Sequence, residues 1–506
     1  TEPSASTEVG IEVDVPEQIR VRTEKRARLL REGREPYPVA VPRTHTLREV
    51  RERWGHLATG EETNEMVSVT GRVVLARNTG RLCFATLQEG LSERDPVARL
   101  QVMLSLAEVG EEALAAWKAD VDLGDFVSVT GRVISSKRGE LSVLATDWQL
   151  AAKALRPMPT LHKELSDETR VRQRHADLTV REAAREMVRT RARITRSIRE
   201  TLHREGYLEI ETPVLQLVHG GANARPFRTH LNAFDQDMTL RIALELFLKR
   251  AVVGGVERVY EIGRIFRNEG IDSTHSAEFT MLEAYQAWGD QRSIADLIRM
   301  IILDVADALG SPTVQTPAGE VDLRGEWRWL GVYPGLSEVL GEEVTPATDA
   351  ARLRSYAAAR GVSYEDDWEA QKLVLHLFGE LVEPTLVQPT FVCDYPPLAQ
   401  PLARPHRSDP QLIEAWDLII GGMERGTGFS ELVDPVIQRS RLSEQSLAAA
   451  AGDPEAMELD EDFLAALEFG APPMGGLGLG IDRLVMLFTG AGIRETILFP
   501  LLKPGG

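Results

Sequence analysis

The chain has 506 residues, of which 43% are hydrophobic, and a formal net charge of −19. This length predicts two to four domains, and the negative charge argues against a general nucleic-acid binder, whose affinity comes mainly from Lys and Arg. Two cysteines, Cys83 and Cys393, exclude a disulfide scaffold, and no apolar run approaches the ~20 residues that span a bilayer. We therefore expect a globular protein of the cytoplasm.

Residues 1–64 are predicted to form an acidic tail followed by a basic amphipathic helix. The first 15 residues are polar and acidic, unlike a signal peptide, and the absence of a starting Met predicts a processed chain or a fragment. Seven basic residues lie between Glu17 and Glu35, and the helix is expected to end at Gly33. Such a helix is either an ordinary solvated one or an RNA contact, and its position before a candidate RNA-binding domain favours RNA contact.

Residues 65–152 contain five short runs that are rich in β-branched residues and alternate in polarity. One helix-like stretch, Ala107 to Ala119, interrupts them, and the near-repeat VSVTGRVV and VSVTGRVI marks two corresponding strands. This pattern predicts an OB-fold β-barrel, a small fold that presents one face to single-stranded nucleic acid.

Residues 153–180 read as a polar, proline-bearing linker, and residues 181–506 read as one large α+β domain. An arginine-rich helix from Glu182 to Glu205 and the apolar strand LEIETPVL open this domain. A variable region near 309–410 ends in TFVCDYPPLAQPLAR, which predicts a strand and then a proline-rich loop close to the expected site.

Two arginines in distant segments carry the strongest chemical signal. Arg267 lies in FRNEG, shortly before HSAEFTMLEAY, and Arg483 follows the glycine-rich run GLGLG and opens an apolar helix. Arginine holds phosphate or carboxylate bidentately, and glycines let backbone approach a ligand. Singly, the first segment is more often a surface turn and the second a packed strand; together they predict a clamp for a polyphosphate.

These segments resemble the second and third signature motifs of the class II aminoacyl-tRNA synthetases, and GYLEIETP, from Gly206 to Pro213, resembles the first. GGANARPF, RIALELFLKR, RVRQRHADL and GFSELVDPVIQR are similar to blocks of lysyl-tRNA synthetases. The run from Val15 to Leu47 most resembles the synthetase portion of actinobacterial fusion proteins that form lysyl-phosphatidylglycerol. The resemblance implies an α+β protein with an N-terminal OB-fold β-barrel and a class II catalytic domain built on an antiparallel sheet with flanking helices.

The same resemblance assigns site residues. Arg267 and Arg483 would be catalytic, holding the ATP α-phosphate with the lysine carboxylate and the γ-phosphate respectively. The implied ATP-binding residues are Arg267, Glu269, His275, Phe279 and Arg483. The implied lysine-binding residues are Gly221, Ala222, Glu245, Glu283, Tyr285, Phe429 and Glu431. Asp417 and Glu424 would hold Mg²⁺, with ATP as cosubstrate, although an acid pair at this spacing is by itself more often a solvated one.

The barrel carries a further implied set, which would read the tRNA anticodon. Its members are Arg77, Phe84, Gln101 and Glu140, and Phe84 would stack on a base, whereas the alternative interpretation is a core aromatic. Such a set is shared by lysine, aspartate and asparagine enzymes, so it indicates the subgroup without choosing its member.

Several positions depart from the family pattern. Leu244 replaces a proline, Thr239 a tyrosine, Gly263 an asparagine and Ala277 a proline, while Thr427 and Val433 stand where many relatives carry asparagine. The expected consequence is altered efficiency, because the arginines and pocket carboxylates remain.

The function that follows is a lysine–tRNA ligase, which makes lysyl-adenylate and then lysyl-tRNA, with lysine, ATP and tRNA(Lys) as partners. The alternatives are a lysine ligase with a non-tRNA acceptor and a non-catalytic RNA-binding paralogue. The family pairs through its first motif, so we expect a homodimer. The resemblance to the fusion proteins suggests that the lysyl-tRNA supplies membrane lipid lysylation, with any membrane contact made by a fused or associated transferase.

Overall fold

The computed structural model describes residues 16–91, 98–159, 164–452 and 455–503. The chain divides between Glu186 and Met187 into two units. The acidic tail predicted for residues 1–15 lies outside the described residues, and the finer boundaries expected at residues 64, 152 and 180 stay predictions. No helix in the described part of the chain is long and apolar enough to cross a membrane.

The first unit is a closed five-stranded barrel with helices around it, in the strand order β1-β2-β3-β5-β4. Its interior is filled by the apolar side of alternating strands, such as Val67, Val69 and Val73 of β1. This confirms the predicted barrel with its single helical interruption. Its elements are α1 Glu17–Arg31, α2 Leu47–Trp54, β1 Glu62–Asn78, β2 Leu82–Gln88, β3 Arg99–Ser105, α3 Leu106–Asp120, β4 Phe126–Ser135, β5 Leu141–Ala152, α4 Asp167–Arg172 and α5 Arg174–Val180.

The basic helix α1 uses part of its charge inside the first unit. Arg28 pairs with the buried carboxylate of Asp120, Lys25 donates to Asp122 at 2.8 Å, and Arg22 donates to the carbonyl of Ala154 at 3.0 Å. These residues fix the helix against acidic and carbonyl oxygens beside the barrel. Fewer basic residues of α1 are therefore available for the predicted RNA contact than the seven that the sequence contains between Glu17 and Glu35.

The second unit is built on an eight-stranded sheet in the order β14-β15-β16-β17-β18-β11-β10-β6. Its elements, beginning with a helix that starts in the first unit, are α6 Glu182–Arg204, β6 Leu208–Glu209, β7 Leu215–Gln216, β8 Arg228–Leu231, β9 Gln236–Leu240, α7 Glu245–Val253, β10 Arg258–Phe266, β11 Glu278–Ala287, α8 Gln291–Leu309, β12 Thr313–Thr316, β13 Gly319–Asp322, β14 Arg328–Gly331, α9 Val332–Leu340, α10 Ala350–Arg360, α11 Ala370–Leu381, β15 Thr390–Tyr395, β16 Ile413–Ile419, β17 Glu424–Ser430, α12 Pro435–Ala450, α13 Glu461–Glu468, β18 Met474–Gly480, α14 Ile481–Thr489 and α15 Ile493–Thr496.

The six central strands, from β15 to β10, pair antiparallel, while the edge strands β14 and β6 pair parallel to their neighbours. Helix α8 packs its apolar side, including Ile294, Ile298 and Ile301, into the main core with Leu477 and Leu479 of β18. An antiparallel sheet with flanking helices is the predicted fold class, which is confirmed.

The apolar strand expected at LEIETPVL is interrupted. Only two short pieces form, and they belong to different sheets: β6 pairs with β10, and β7 pairs with β9. Between them, Glu261 accepts hydrogen bonds from the Thr212 amide and hydroxyl at 2.9 and 2.6 Å, and Pro213 has no N–H for a ladder. The Thr212 N–H is thus bonded to the Glu261 side chain instead of to a neighbouring strand, and β6 does not continue.

The variable region near 309–410 contributes to the main sheet, since β14 and β15 are two of its strands. The region's helices α9, α10 and α11 bury Leu336, Leu353 and Leu377 in a second core. Its proline-rich end, residues 399–402, lines a cavity of the second unit.

Candidate active site

Two adjoining cavities open over the centre of the eight-stranded sheet. The larger has a volume of about 300 Å³ and the smaller about 210 Å³. Both are lined by Arg267, Met281, Glu424 and Gly478. A ligand in either cavity therefore meets the same two side chains of opposite charge, Arg267 and Glu424.

The smaller cavity contains the predicted nucleotide-binding residues. Its lining includes Arg267, Glu269, His275, Phe279 and Arg483. Arg483 lies 3.3 Å from a carboxylate oxygen of Glu424, and its other amine nitrogen lies 3.3 Å from Nε2 of His275. The two arginines therefore face one cavity, as a polyphosphate clamp requires.

Anchored neighbours hold both arginines in place. Arg267 follows β10, its backbone N–H donates to Ala277 at 2.9 Å, and its guanidinium carbon lies 5.3 Å from the ring centre of Phe279. Burial lowers the pKa of Arg267, against the nearby carboxylates of Glu269 and Glu283. An arginine that has lost water in this way gains from an anionic ligand.

The start of α14, which carries Arg483, is fixed by its neighbour Asp482. The buried Asp482 carboxylate accepts from the Thr280 amide at 2.7 Å and from Arg191 at 2.5 Å. The helix thereby starts next to β11, so the arginine in its first turn points into the nucleotide cavity.

The larger cavity contains six of the seven predicted lysine-binding residues. These are Gly221, Ala222, Glu245, Glu283, Tyr285 and Phe429. The seventh, Glu431, is outside the lining; it is 2% exposed and forms an ion pair with the ammonium of Lys249. Within the described residues, Oε1 of Glu431 has no hydrogen-bond partner.

Glycines in β18 make room for this cavity. In the ladder, Gly476 lies opposite Tyr285 on one side and Phe429 on the other. A Cβ at Gly476 would overlap Oε1 of Glu431 and the ring of Tyr285. Only glycine therefore lets the pocket side chains of the two neighbouring strands meet across β18.

Glu283 is held at two points within the larger cavity. It accepts from the Leu244 amide at 2.9 Å and from the Tyr285 hydroxyl at 2.9 Å. Burial, with repulsion from Glu245, raises the pKa of Glu283 to about 7, against these hydrogen bonds. Burial also raises the pKa of Glu245 and Tyr285. The buried carboxylates of the cavity therefore lack sufficient neutralising positive charge, which a bound ammonium group would supply.

Asp417 and Glu424, the predicted metal ligands, both line the larger cavity. Burial and the Glu424 charge raise the pKa of Asp417 to about 7, against hydrogen bonds from Tyr395 and Thr427. No cluster of three or more acidic, His or Cys side chains that could hold a metal exists among the described residues. Two carboxylates beside a phosphate site do fit Mg²⁺, which binds one or two carboxylates and completes its shell with phosphate and water oxygens.

Three residues near the site were missed by the sequence analysis. Lys249 pairs with Glu245 at 2.5 Å, and the Glu–Lys spacing of four residues on a helix was a usable signal. Arg425 is 4% exposed and lines the nucleotide cavity, and burial lowers its pKa to about 10. Burial and Glu424 raise the pKa of Glu383, in the variable region, and no sequence motif indicated this residue.

The predicted anticodon residues lie on neighbouring strands of the barrel. Arg77 pairs in register with Phe84, and Gln101, opposite Thr86, lies on the same face one step along the strand. Phe84 is half-buried and alternates with the buried Cys83 and Ala85, so it faces away from the barrel core.

Gln101 donates to Ser142 at 2.8 Å, which links the set to the start of β5. Glu140 is exposed just before that strand and lies 3.3 Å from Arg51. Stacking and hydrogen-bonding groups thus share one surface of the barrel.

Comparison with known proteins identifies a domain type for the barrel and another for the unit that contains the two cavities. Residues 166–503 match the model for class II tRNA synthetases (D, K and N), and residues 67–151 match an OB-fold nucleic-acid-binding domain. The chain is 58% identical to the lysine–tRNA ligase of Kineococcus radiotolerans, over 97% of this chain and 98% of that protein.

The chain belongs to the class II lysine–tRNA ligases. The ligase of Mycolicibacterium gilvum is also 58% identical over the same shares. The lysylphosphatidylglycerol biosynthesis bifunctional protein LysX of Mycobacterium marinum is 48% identical over 97% of this chain but 44% of its own length. The family resemblance and the lysine–tRNA ligase activity predicted from the sequence are confirmed, and the two alternative functions are not favoured.

Four of the six departures of this ligase from the family pattern have a local structural context. Leu244 supplies an N–H to Glu283 that a proline lacks. A Cβ at Gly263 would collide with the Arg241 guanidinium, which pairs with Glu261 at 2.6 Å. Thr427 lines the larger cavity.

Val433 packs against an apolar cluster, so a polar group there is not needed for packing. Nothing in the structure explains Thr239 or Ala277.

Proposed function

We propose that the larger cavity binds lysine and the smaller one binds ATP, with Arg267 between the reacting groups. The observation that carries this proposal is that Arg267 lines both cavities. One guanidinium can then hold the lysine carboxylate and the α-phosphate together, two anions that otherwise repel each other. The carboxylate oxygen attacks the α-phosphorus, and pyrophosphate leaves.

Charge stabilisation by the site residues accounts for the catalysis. Arg483 holds the γ-phosphate, Glu269 and His275 lie along the nucleotide, and Phe279 stacks on adenine. The reaction needs no protein nucleophile, so oriented positive charge at the phosphates is the main contribution. A ribose hydroxyl of the tRNA end then attacks the carbonyl carbon of lysyl-adenylate, and AMP leaves.

Lysine selectivity rests on buried carboxylates. Glu245, Glu431 and the Tyr285 hydroxyl bind the ε-ammonium, Glu283 binds the α-amino group, and Phe429 packs on the aliphatic chain. The remaining wall, Gly221 and Ala222, brings backbone close to the substrate. A neutral amino acid would leave these buried carboxylates without a cation, which is costly.

Asp417 and Glu424 would hold Mg²⁺ at the junction of the two cavities. When bound there with ATP, the ion would neutralise phosphate charge. Burial and the Glu424 charge raise the pKa of Asp417, and a cation at this pair would oppose both effects. Thr427, opposite Asp417 in the β16–β17 ladder, donates to the Trp416 carbonyl at 3.3 Å and so borders this pair without adding charge.

We propose that the barrel surface of Arg77, Phe84, Gln101 and Glu140 reads the anticodon. The outward direction of Phe84 supports this role over that of a core aromatic. Stacking on its ring and hydrogen bonds to base edges would then recognise the nucleotides.

We also propose a homodimer formed through the first motif. Leu208, Val214, Leu215 and Leu217 are exposed by 59, 40, 44 and 63% of their surface in the single chain. An apolar group of this kind, beside an edge strand, supports a partner surface.

The proposed location is the cytoplasm, supported by two free, buried cysteines. Supply of lysyl-tRNA for lipid lysylation stays a prediction. It rests on the 48% identity with a bifunctional relative of which the chain covers less than half.

The test is ATP–pyrophosphate exchange with each amino acid, followed by tRNA charging. We expect exchange with lysine alone. Glu431→Gln and Glu245→Gln should reduce lysine activation, because an amide cannot offset an ammonium, while the ATP KM stays the same. Glu278→Gln, at an exposed acid on β11, is the matched control. Unchanged lysine dependence in both pocket variants would overturn the pocket assignment.

A further inference from the structure

Lys249 lies beneath the floor of the lysine cavity. Its side chain is 1% exposed, and its ammonium pairs with Glu245 at 2.5 Å and with Glu431. The same nitrogen lies 5.5 Å from the ring centre of Phe429 and 6.0 Å from that of Phe463. Lys249 is not part of the cavity lining, so it is a built-in cation behind the two carboxylates rather than an occupant of the pocket.

The geometry divides the Glu431 carboxylate between two partners. Neither oxygen has a hydrogen-bond partner among the described residues; Oε2 is held by the ion pair with Lys249, whereas Oε1 lies over Gly476, which lines the cavity. A fully buried carboxylate oxygen without a donor is costly, and a donor arriving through the cavity would satisfy it. Lys249 thus holds one oxygen inward and leaves the other available to a substrate.

With Asp417 and Glu424 assigned to Mg²⁺, the charges of the proposed ammonium-binding carboxylates balance only when Lys249 is counted. Glu245, Glu283 and Glu431 carry three negative charges when ionised, and Lys249 offsets one. Bound lysine brings two ammonium groups, which offset the other two, and its carboxylate faces Arg267. Without Lys249 the pocket would hold one buried negative charge in excess even with substrate bound.

We propose that Lys249 is a positioning residue for lysine selection, which orients Glu245 and Glu431 and, against the effect of burial, favours their ionised forms for the substrate ammonium. This inference rests on the proposed lysine pocket and goes beyond it, since the residue touches the carboxylates rather than the substrate.

The neighbouring groups determine how loss of Lys249 would change the pH dependence. The titratable groups that act on Lys249 are Glu245 on the same helix and Glu431 after β17. Glu283 on β11 acts on Glu431, and Tyr285 on β11 lies within reach of the charges of both carboxylates. Burial opposes the charge on Lys249, and the two carboxylates that pair with it outweigh burial and raise its pKa. Removal of this cation raises the pKa of both carboxylates, so they bind protons, and lose affinity for lysine, at a higher pH than before.

The test is the pH profile of the lysine KM in pyrophosphate exchange for Lys249→Gln and Lys249→Arg. Glutamine can hydrogen-bond to both carboxylates but carries no charge. We expect its lysine KM to rise at least about tenfold at neutral pH and to recover at a pH about 1 to 3 units higher, the shift caused by one nearby opposite charge. The ATP KM should stay unchanged, and Lys249→Arg should keep a profile close to the original.

The outcomes separate this inference from the proposed pocket. If Lys249→Gln lowers the melting temperature but leaves the lysine KM and its pH profile unchanged, while Glu431→Gln raises the lysine KM, Lys249 is structural only and the inference is wrong. If Glu431→Gln also has no effect, the pocket itself is wrong.

A second pair of variants covers failure to fold. If Lys249→Gln is insoluble, the double variant with Lys249→Gln and Glu245→Gln is compared with Glu245→Gln alone. The double variant keeps the buried net charge of the original chain. A double variant whose profile lies at higher pH supports the inference, and identical profiles overturn it.

Discussion

The backbone amide of Leu244 is a hydrogen-bond donor within the proposed lysine site. It lies at the start of α7 and donates to Glu283, the expected partner of the substrate α-amino group. The donor favours the ionised form of Glu283, because a carboxylate accepts hydrogen bonds better than a carboxylic acid does. At this position the departure from the family's proline changes hydrogen bonding as well as packing, since the Leu244 side chain is fully buried in an apolar cluster.

Replacing Leu244 by proline should therefore weaken lysine binding. A net hydrogen bond contributes about 0.5 to 1.5 kcal/mol, so the lysine KM should rise about 2- to 10-fold near neutral pH. The pKa of Glu283 would rise further above about 7, and the loss should shrink at higher pH. Leu244→Met keeps the N–H and nearly the same volume and is the control; an equal effect in both variants would assign the loss to packing.

Glu283 should also make the stability of the ligand-free protein depend on pH. Its folded pKa, about 7, exceeds the unfolded value, so the folded state binds more protons, and stability falls as pH rises from about 4.5 to 7. The full effect is about 3 kcal/mol. Between pH 5 and 8, the melting temperature should change less with pH for Glu283→Gln than for the original chain. Saturating lysine should likewise reduce the pH dependence of the original chain's melting temperature. An equal pH dependence of the melting temperature in the variant and the original chain would contradict the assigned pKa of Glu283.

At this scale the sequence predicts residues that belong to a contiguous motif better than residues that meet through the fold. Arg267, Glu269 and Phe279 lie in the second motif, and all three line the nucleotide cavity. Lys249 escaped because its second partner, Glu431, lies on a distant strand, and no local pattern reveals a buried cation shared by remote carboxylates. Arg425 escaped for a similar reason, since its role depends on burial.

At the scale of elements, the barrel and the catalytic sheet divide the work. The strand β2 carries Phe84 in the first unit, whereas every residue of the two cavities lies in the second. Recognition of tRNA and formation of the adenylate should therefore respond to different substitutions.

Phe84→Ala should reduce tRNA charging and spare lysine-dependent pyrophosphate exchange. A stacked base contributes about 1 to 3 kcal/mol, so charging at limiting tRNA should fall about 5- to 150-fold. Thr86→Ala, on the same face of β2, is a control without a ring. Loss of exchange in a folded Phe84 variant would contradict the division of labour, and no change in either reaction would return Phe84 to a packing role.

Elements with strong local periodicity were predictable, and those set by tertiary contacts were not. The five barrel strands follow from alternation of buried and exposed residues, which is a local property. The strand expected at LEIETPVL breaks because Glu261, from another strand, binds Thr212. Helix α1 was predicted, but the ion pair between its Arg28 and Asp120 was not, because Asp120 becomes a partner of the helix only in the folded barrel.

For the whole molecule, the exposed apolar residues of the first motif bear on assembly. We expect a mass about twice the chain mass of 56.1 kDa by light scattering at micromolar concentration. Leu215→Asp should shift the mass toward one chain, because a charge in an apolar interface loses water without gaining a partner. Leu447→Asp, at an exposed leucine of α12, is the matched control. A monomer with full activity would defeat the proposed dimer.

The variable region shows the limit of prediction at this scale. Its sequence, near 309–410, is interrupted by Gly, Pro and acidic residues and carries no motif. In the fold it supplies β14 and β15 to the main sheet and residues 399–402 to the cavity wall. Long-range strand pairing of this kind is specified by the neighbouring strands rather than by the segment itself.

The wall of side chains shared by the two cavities has a consequence for inhibition. Because Arg267 and Glu424 face both spaces, a single molecule that joins a lysyl group to an adenosine through a short, uncleavable linker can occupy both at once. Once one half is seated, the other is held at a high effective concentration and loses little further freedom on binding. In the proposed arrangement, such a bisubstrate compound would gain affinity by binding in both cavities, and lysyl-adenylate would be retained in the same way until tRNA arrives.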